Sequence, residues 1–129
     1  MTLDVALVSP ERILYTGAAD MVVCRTPEGE IAFLTGHAPF VGSLEISPVR
    51  VILDDGTEVK AAVHGGFVEV RDNKVSVLSD VAELPEHVDR ARAQRALEEA
   101  ERRCAESYGV ECEQAIRRAK LRLEVAGSS

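Results

Sequence analysis

A chain of 129 residues with 46% apolar side chains has material for one compact core and an appendage. There is no Trp and aromatics make up only 4%, which excludes a broad aromatic platform for stacking bases or sugars. The formal net charge of −7 argues against a nucleic-acid partner, whose phosphates call for a basic face.

The opening "MTLDVALVSPER" has no basic region leading into a long apolar run, and no window of about 18 apolar residues occurs later. Neither a signal peptide nor a membrane span is expected. Up to about residue 83 the chain is a series of short β-type runs: "TLDVALV", "RILYTG", "DMVVCRT", "EIAFL", "SLEIS", "VRVILDDG", "EVKAAVHGG", "FVEVRDN" and "KVSVLSD". Ser9-Pro10, Pro27-Glu28-Gly29, Asp54-Asp55-Gly56 and Asp72-Asn73 punctuate them as turns. Strands at this spacing, rich in Val, Ile and Thr, predict an antiparallel β-sandwich or barrel over residues 1–84. No ordinary helix fits between them, so a βαβ arrangement is excluded.

At "ELPEHVDRARAQRALEEAERRCAESYGVECEQAIRRAKLRLEVAGSS" the apolar period becomes helical. The charge changes too: residues 1–85 hold 13 acids against 6 bases, and the remainder holds 9 of each, so the second unit is neutral but dense in charge. One helix is expected from about Asp89 to Ala105 and a second from about Glu111 to Val125, with Gly109 between them. Ala93, Leu97, Ala100 and Cys104 share a face of the first; Cys112, Ile116, Ala119 and Leu123 share a face of the second. Residues 85–129 therefore read as an antiparallel helical hairpin. Its seam is thin, because only Leu97, Ile116 and Leu123 are bulky. A fully buried Leu or Ile contributes roughly 1.5–3 kcal/mol and Ala far less. Such a hairpin needs a partner surface and can exchange one for another.

Several stretches imitate catalytic motifs. "HGGF", residues 64–67, resembles an esterase oxyanion loop, but no G-x-S-x-G elbow accompanies it, and a tight bend between strands at Gly65 and Gly66 is the simpler reading. His37 in "GHAPFVG" has the surroundings of an active-site loop, yet no nucleophile or H-x-x-x-H or C-x-x-C spacing supports it, and no metal site is expected. Cys24 lies in an apolar run and reads as a buried small hydrophobe. Cys104 and Cys112 can face each other across the hairpin turn; the odd cysteine count favours reduced packing thiols in an intracellular compartment. Arg117, Arg118, Lys120 and Arg122 form a basic run suited to a solvated face or to an acidic protein surface.

Taken together, "SPERILYTGAADMVV", "TPEGEIAFLTGHAPFVGSL", "GGFVEVRDNKVSVLSDVAE" and "VDRARAQRALEEAE", in this order, resemble the epsilon subunits of F-type ATP synthases over essentially the whole length. The resemblance implies a non-catalytic rotor subunit of the central stalk, on the cytoplasmic face of a bacterial plasma membrane. Its β-sandwich would dock on the gamma subunit and touch the ring of c subunits, with Glu30, Gly36 and His37 as ring contacts. The hairpin would fold on the sandwich or extend toward the alpha and beta subunits and inhibit ATP hydrolysis. Arg117, Arg118 and Arg122 would then meet an acidic segment of beta. "VDRARA", residues 88–93, is similar to the family's regulatory ATP motif, which implies Asp89, Arg92 and Ala93 as contacts. For Asp89 the alternative is a plain helix start at the positive end of the dipole. Two other readings remain, a free-standing nucleotide-sensing module and a small enzyme using His37 or His64. The first predicts tight ATP binding without a stable protein partner, the second turnover by the purified chain.

Overall fold

The computed structural model describes residues 2–127; Met1, Ser128 and Ser129, which fall within the two expected units, lie outside the described residues. Eight strands precede two helices: β1 (Leu3–Val8), β2 (Ile13–Ala19), β3 (Met21–Thr26), β4 (Gly29–Leu34), β5 (Phe40–Ile52), β6 (Glu58–Arg71), β7 (Lys74–Leu78) and β8 (Ala82–Glu83), then a 3-10 turn at Pro85–His87, α1 (Arg90–Glu106) and α2 (Val110–Ala126). The strand order is β2-β1-β7-β6-β5-β3-β4, with β8 pairing with β6. All neighbours are antiparallel except β1 and β7, which run parallel, so the sheet is mixed rather than wholly antiparallel as expected.

Two long strands make the sandwich. "SLEIS" and "VRVIL" are halves of β5, and "EVKAAVHGG" and "FVEVR" are halves of β6, rather than four separate strands. Pro48 does not end β5 because β3 begins pairing only at Arg50, so its missing N–H interrupts no ladder on that side. Along β5 the buried residues are Leu44 and then Ser47, Val49 and Val51; along β6 those in the sandwich core are Ala61 and Val63 and then Val68 and Val70, Ala62 being buried with the helices instead. Each series changes parity once, at Glu45–Ile46 and at Gly65–Gly66, and these points face each other in the β5–β6 register. The inward face switches sides there because the shared ladder bends from one layer into the other. Gly65 and Gly66 take φ values of +84° and +136° to allow it. The Ser79 hydroxyl shares its hydrogen between the Gly65 carbonyl at 2.6 Å and the Val81 carbonyl at 2.8 Å, tying the bend to the chain leading into β8.

One core fills the sandwich, with Leu3, Val5, Leu7, Val22, Phe33, Val49, Val51, Val63, Val68, Val70, Val75 and Val77 almost wholly buried. The helices match their periodicity, one residue longer at the end of α1 and at each end of α2 than expected. The seam is as thin as expected: Ala93, Ala100, Cys112 and Ala119 are buried, whereas Leu97, Ile116 and Leu123 are only partly so. The buried bulk of α2 lies elsewhere. Leu121 and Val125 pack on Ala62 and Ile46 of the sandwich. This surface is missed by a heptad-like reading of α2, because it is a second stripe on the flank of the first.

The cysteine expectation is overturned. Cys104 and Cys112 are joined by a disulfide across the hairpin turn, with Cα atoms 5.5 Å apart. Antiparallel helices with a three-residue connection bring these positions opposite each other, and small neighbours let the backbones approach closely enough to bond. Cys24 is buried in the core as expected, and burial, aided by Glu30, pushes its thiol up to about 12, which makes it inert.

Candidate functional site

The hairpin lies docked on the outer face of the β3–β5–β6–β8 layer, and α2 rather than α1 makes the main contact with β5 and β6. Four ion pairs cross this boundary or complete it. Glu83 at the end of β8 is the hub: its Oε1 accepts from His64 Nε2 at 2.9 Å and from Arg122 Nε at 2.8 Å. The His64 side chain is only 3% exposed. Burial pushes the Glu83 carboxyl up, but the hydrogen bonds and charges of His64 and Arg122 outweigh it and hold the group below its ordinary range. Outside this hub Arg117 meets Glu45 at 3.9 Å and Lys60 meets Glu124 at 3.9 Å. These outer pairs are half exposed and contribute little singly; the Glu83 cluster is the latch.

A cavity of about 360 Å³ opens beside the latch, lined by Glu83, His87, Asp89, Arg92, Ala93, Ala96 and Arg122. Asp89 is the N-cap of α1, its Oδ1 accepting from the Arg92 N–H at 3.0 Å, as the helix-start alternative required. Ala93 is a buried wall. The structure thus brings the three residues of "VDRARA" together with Arg122, which the sequence placed in a different group. The signal that could have found this is the basic period of α2: Arg118 and Arg122 fall on one face, and Arg122 reaches the start of α1 once the hairpin closes. Glu83 was missed outright and His64 was weighed only as a residue of a small enzyme, since the three latch residues are separated in sequence by 19 and 39 positions.

Glu30 and His37 do not share a loop. Glu30 pairs with Arg25 across the β3–β4 hairpin, and both line a polar groove with Arg117 and Lys120 of α2. About 13 Å of extended strand separates Glu30 from Leu34, where the next loop starts. In that loop the His37 ring stands edge-on to Phe33 with centroids 4.9 Å apart, and its Nδ1 donates to the Ala38 carbonyl at 2.7 Å. Gly36, at φ +87°, donates its N–H to Asn73 Oδ1 at 2.7 Å, fastening the loop to the β6–β7 turn. His37 therefore has a structural use within its own loop. Among the described residues no group of three or more metal-ligating side chains is found, and no helix is long and apolar enough to cross a membrane.

Fold and latch together define a class: a β-sandwich scaffold carrying a helical arm that is held by a few polar contacts. Residues 2–85 match the family model described as the ATP synthase delta/epsilon chain β-sandwich domain. The chain is 46% identical to the ATP synthase epsilon chain of Brevibacillus brevis over 106 residues, covering 82% of this chain and 80% of that one. It is 43% identical to the epsilon chain of Halalkalibacterium halodurans, covering 98% of each. Among solved structures it is similar to a chain of the Euglena gracilis mitochondrial ATP synthase, with a TM-score of 0.81 and 26% identity over 97% of this chain and 81% of that one. The chain belongs to the ATP synthase delta/epsilon family, in its epsilon branch, and is a non-catalytic subunit of that complex.

Proposed function

We propose that this chain is a rotor subunit of the central stalk of a proton-translocating F-type ATP synthase, peripheral to the cytoplasmic face of a bacterial plasma membrane, and that its hairpin restrains ATP hydrolysis when it leaves the sandwich. The observation that carries this reading is the latch. The hairpin rests on two buried apolar residues, Leu121 and Val125, and on ion pairs that another acidic surface could replace. In the docked state Glu83 and Glu45 occupy Arg122 and Arg117. An acidic segment of the beta subunit would take over these arginines, together with Arg118, in the extended state. Two states separated by a few kcal/mol are what such an exchange requires.

The other layer supplies the stalk contact. Its outer face carries Phe67 at 62% exposure and Leu78 at 55%, paired across β6 and β7, beside an apolar groove of about 460 Å³ that includes Val8 and Pro10. Neighbouring exposed apolar residues of this size mark an interface, and the gamma subunit is the partner that fits the family. The c-ring contact would run along edge strand β4, because Glu30 lies near its start and Gly36 and His37 lie beyond its end. The cavity at Asp89, Arg92 and Ala93 is the place for regulatory ATP: Arg92 and Arg122 would face phosphates, and a nucleotide there would touch both helices and β8 and so favour docking. A free-standing nucleotide sensor would use the same cavity but leave Phe67 and Leu78 without a purpose.

Binding to purified gamma tests the stalk assignment. Phe67→Glu is expected to weaken it by 100-fold or more, while a chain ending at residue 85 binds like the full one. Wild-type affinity in the Phe67→Glu variant would remove this face from the assignment. The regulatory assignment is tested by Arg117→Ala/Arg118→Ala/Arg122→Ala in the reassembled complex, where ATP hydrolysis is expected to rise several-fold. Unchanged hydrolysis would dispose of charge exchange with beta.

A further inference from the structure

The disulfide sits at the one place where the hairpin has least else to hold it. Among the described residues, the ion pairs and the buried apolar contacts of the hairpin with the sandwich fall in the later part of α2, from Arg117 to Val125. Toward the turn Cys104 and Ile116 are only partly buried, and Tyr108 of the turn and Val110 at the start of α2 are exposed. The bond joins the last turn of α1 to the first turn of α2, the two cysteines being eight positions apart in sequence.

We propose that Cys104 and Cys112 are a reversible thiol–disulfide pair, a redox modification site whose co-substrate is a dithiol reductant, and that its state decides whether α1 and α2 can part. With the bond closed, the helices remain antiparallel neighbours at the tip, and the hairpin moves as one body. With the bond open, no covalent link but the chain itself holds them there, and α2 can swing out as a separate element. This deepens the hairpin regulation proposed above and rests on it for its consequence in the complex.

The chemistry balances. A thiolate of the reductant attacks the Cys104 sulfur, the more accessible of the two, since Cys112 is buried. The bond between the sulfurs breaks and Cys112 leaves as a thiolate that takes up a proton. The second thiol of the reductant then displaces Cys104 from the mixed disulfide. Two electrons and two protons pass to this chain, which gains two thiols, and the reductant becomes a disulfide. The reduced Cys112 thiol has an acceptor ready in the Gly109 carbonyl, 3.3 Å from its sulfur. Cys24 does not compete, because it is buried in the sandwich core and its thiol is held in the neutral form.

The test is amide hydrogen exchange on the full chain, oxidised and then reduced with dithiothreitol, with intact mass and thiol counting to fix the redox state. The oxidised chain should show one thiol after denaturation and the reduced chain three. Exchange at residues 105–113 should rise at least tenfold on reduction, and the β-sandwich amides should not change. Cys104→Ser/Cys112→Ser should match the reduced chain whether or not dithiothreitol is added. Three thiols in the chain after equilibration with oxidised glutathione, or equal exchange in both redox states, would overturn the proposal. ATP hydrolysis by the reassembled complex is measured in parallel. If exchange responds and hydrolysis does not, the redox pair stands and the hairpin's regulatory role falls.

Discussion

Gly66→Ala is expected to be the most damaging single methyl this fold can receive. A Cβ built on Gly66 lies 2.2 Å from the Leu78 carbonyl oxygen, 3.0 Å from Ser79 Cα and 3.1 Å from the Leu78 carbonyl carbon. All three are backbone atoms, so no rotamer change relieves the clash. The φ of +136° adds conformational strain. To make room, β7 would have to draw away from β6 where the long ladder passes between layers, and the core residues Val68 and Val77, paired across these strands, would part with it. The cost should be about 3 kcal/mol or more, lowering the melting temperature by 10 °C or more at the ~4–8 °C per kcal/mol of a domain this size. Gly65→Ala is the control. Its φ is +84°, but its nearest contact is 3.7 Å, so it pays only the left-handed strain of about 1–2 kcal/mol. Thermal melts of the two variants decide the matter. A Gly66→Ala melt within a few degrees of wild type would show that the bend can relax and does not hold the layers together.

The same glycines show how far the sequence can be read. "HGG" announces a bend, and the bend is there, but period-two alternation on either side reads as two strands because a break in parity looks like an end. Only the register with β5, where Glu45–Ile46 makes the matching switch, shows one strand turning a corner. The hairpin was legible because its 3.6-residue period, its Gly109 break and its Asp89 cap are local signals. Cys104 and Cys112 were placed opposite each other by the same period. Whether such a pair bonds depends on the approach of the two backbones, and cysteine count does not report that. The latch was the least legible part. His64, Glu83 and Arg122 each look ordinary in their own segments, and they converge only when β8 pairs with β6 and α2 lies across both.

Removing the latch charge should release the arm without unfolding the scaffold. Glu83→Gln keeps the shape of the side chain but takes away the carboxylate that accepts from both His64 and Arg122. A neutral amide oxygen serves one donor well, and the Arg122 guanidinium, about two-thirds buried, is left without its counter-charge. Because the site is partly open to water, the loss is discounted to about 2 kcal/mol, which shifts docked against undocked hairpin by roughly 30-fold. Amide exchange over residues 110–126 should speed up accordingly, while exchange in the buried strands stays at its wild-type rate. Arg122→Gln should do much the same, and the two changes together should cost little more than one, since both remove a single interaction. Additive costs would mean that Glu83 and Arg122 act separately. The wild-type protein should show the same release with acid. Glu83 has a folded-state pKa below its unfolded one, so its contribution is fully present above the ordinary glutamate value of about 4.3 and is lost as pH falls through the lower folded value. Docking that holds steady through neutral pH and fails only in this acid range, with the failure absent in Glu83→Gln, would place the switch on this carboxylate. Release beginning near neutral pH, with Glu83 still ionised, would place it elsewhere.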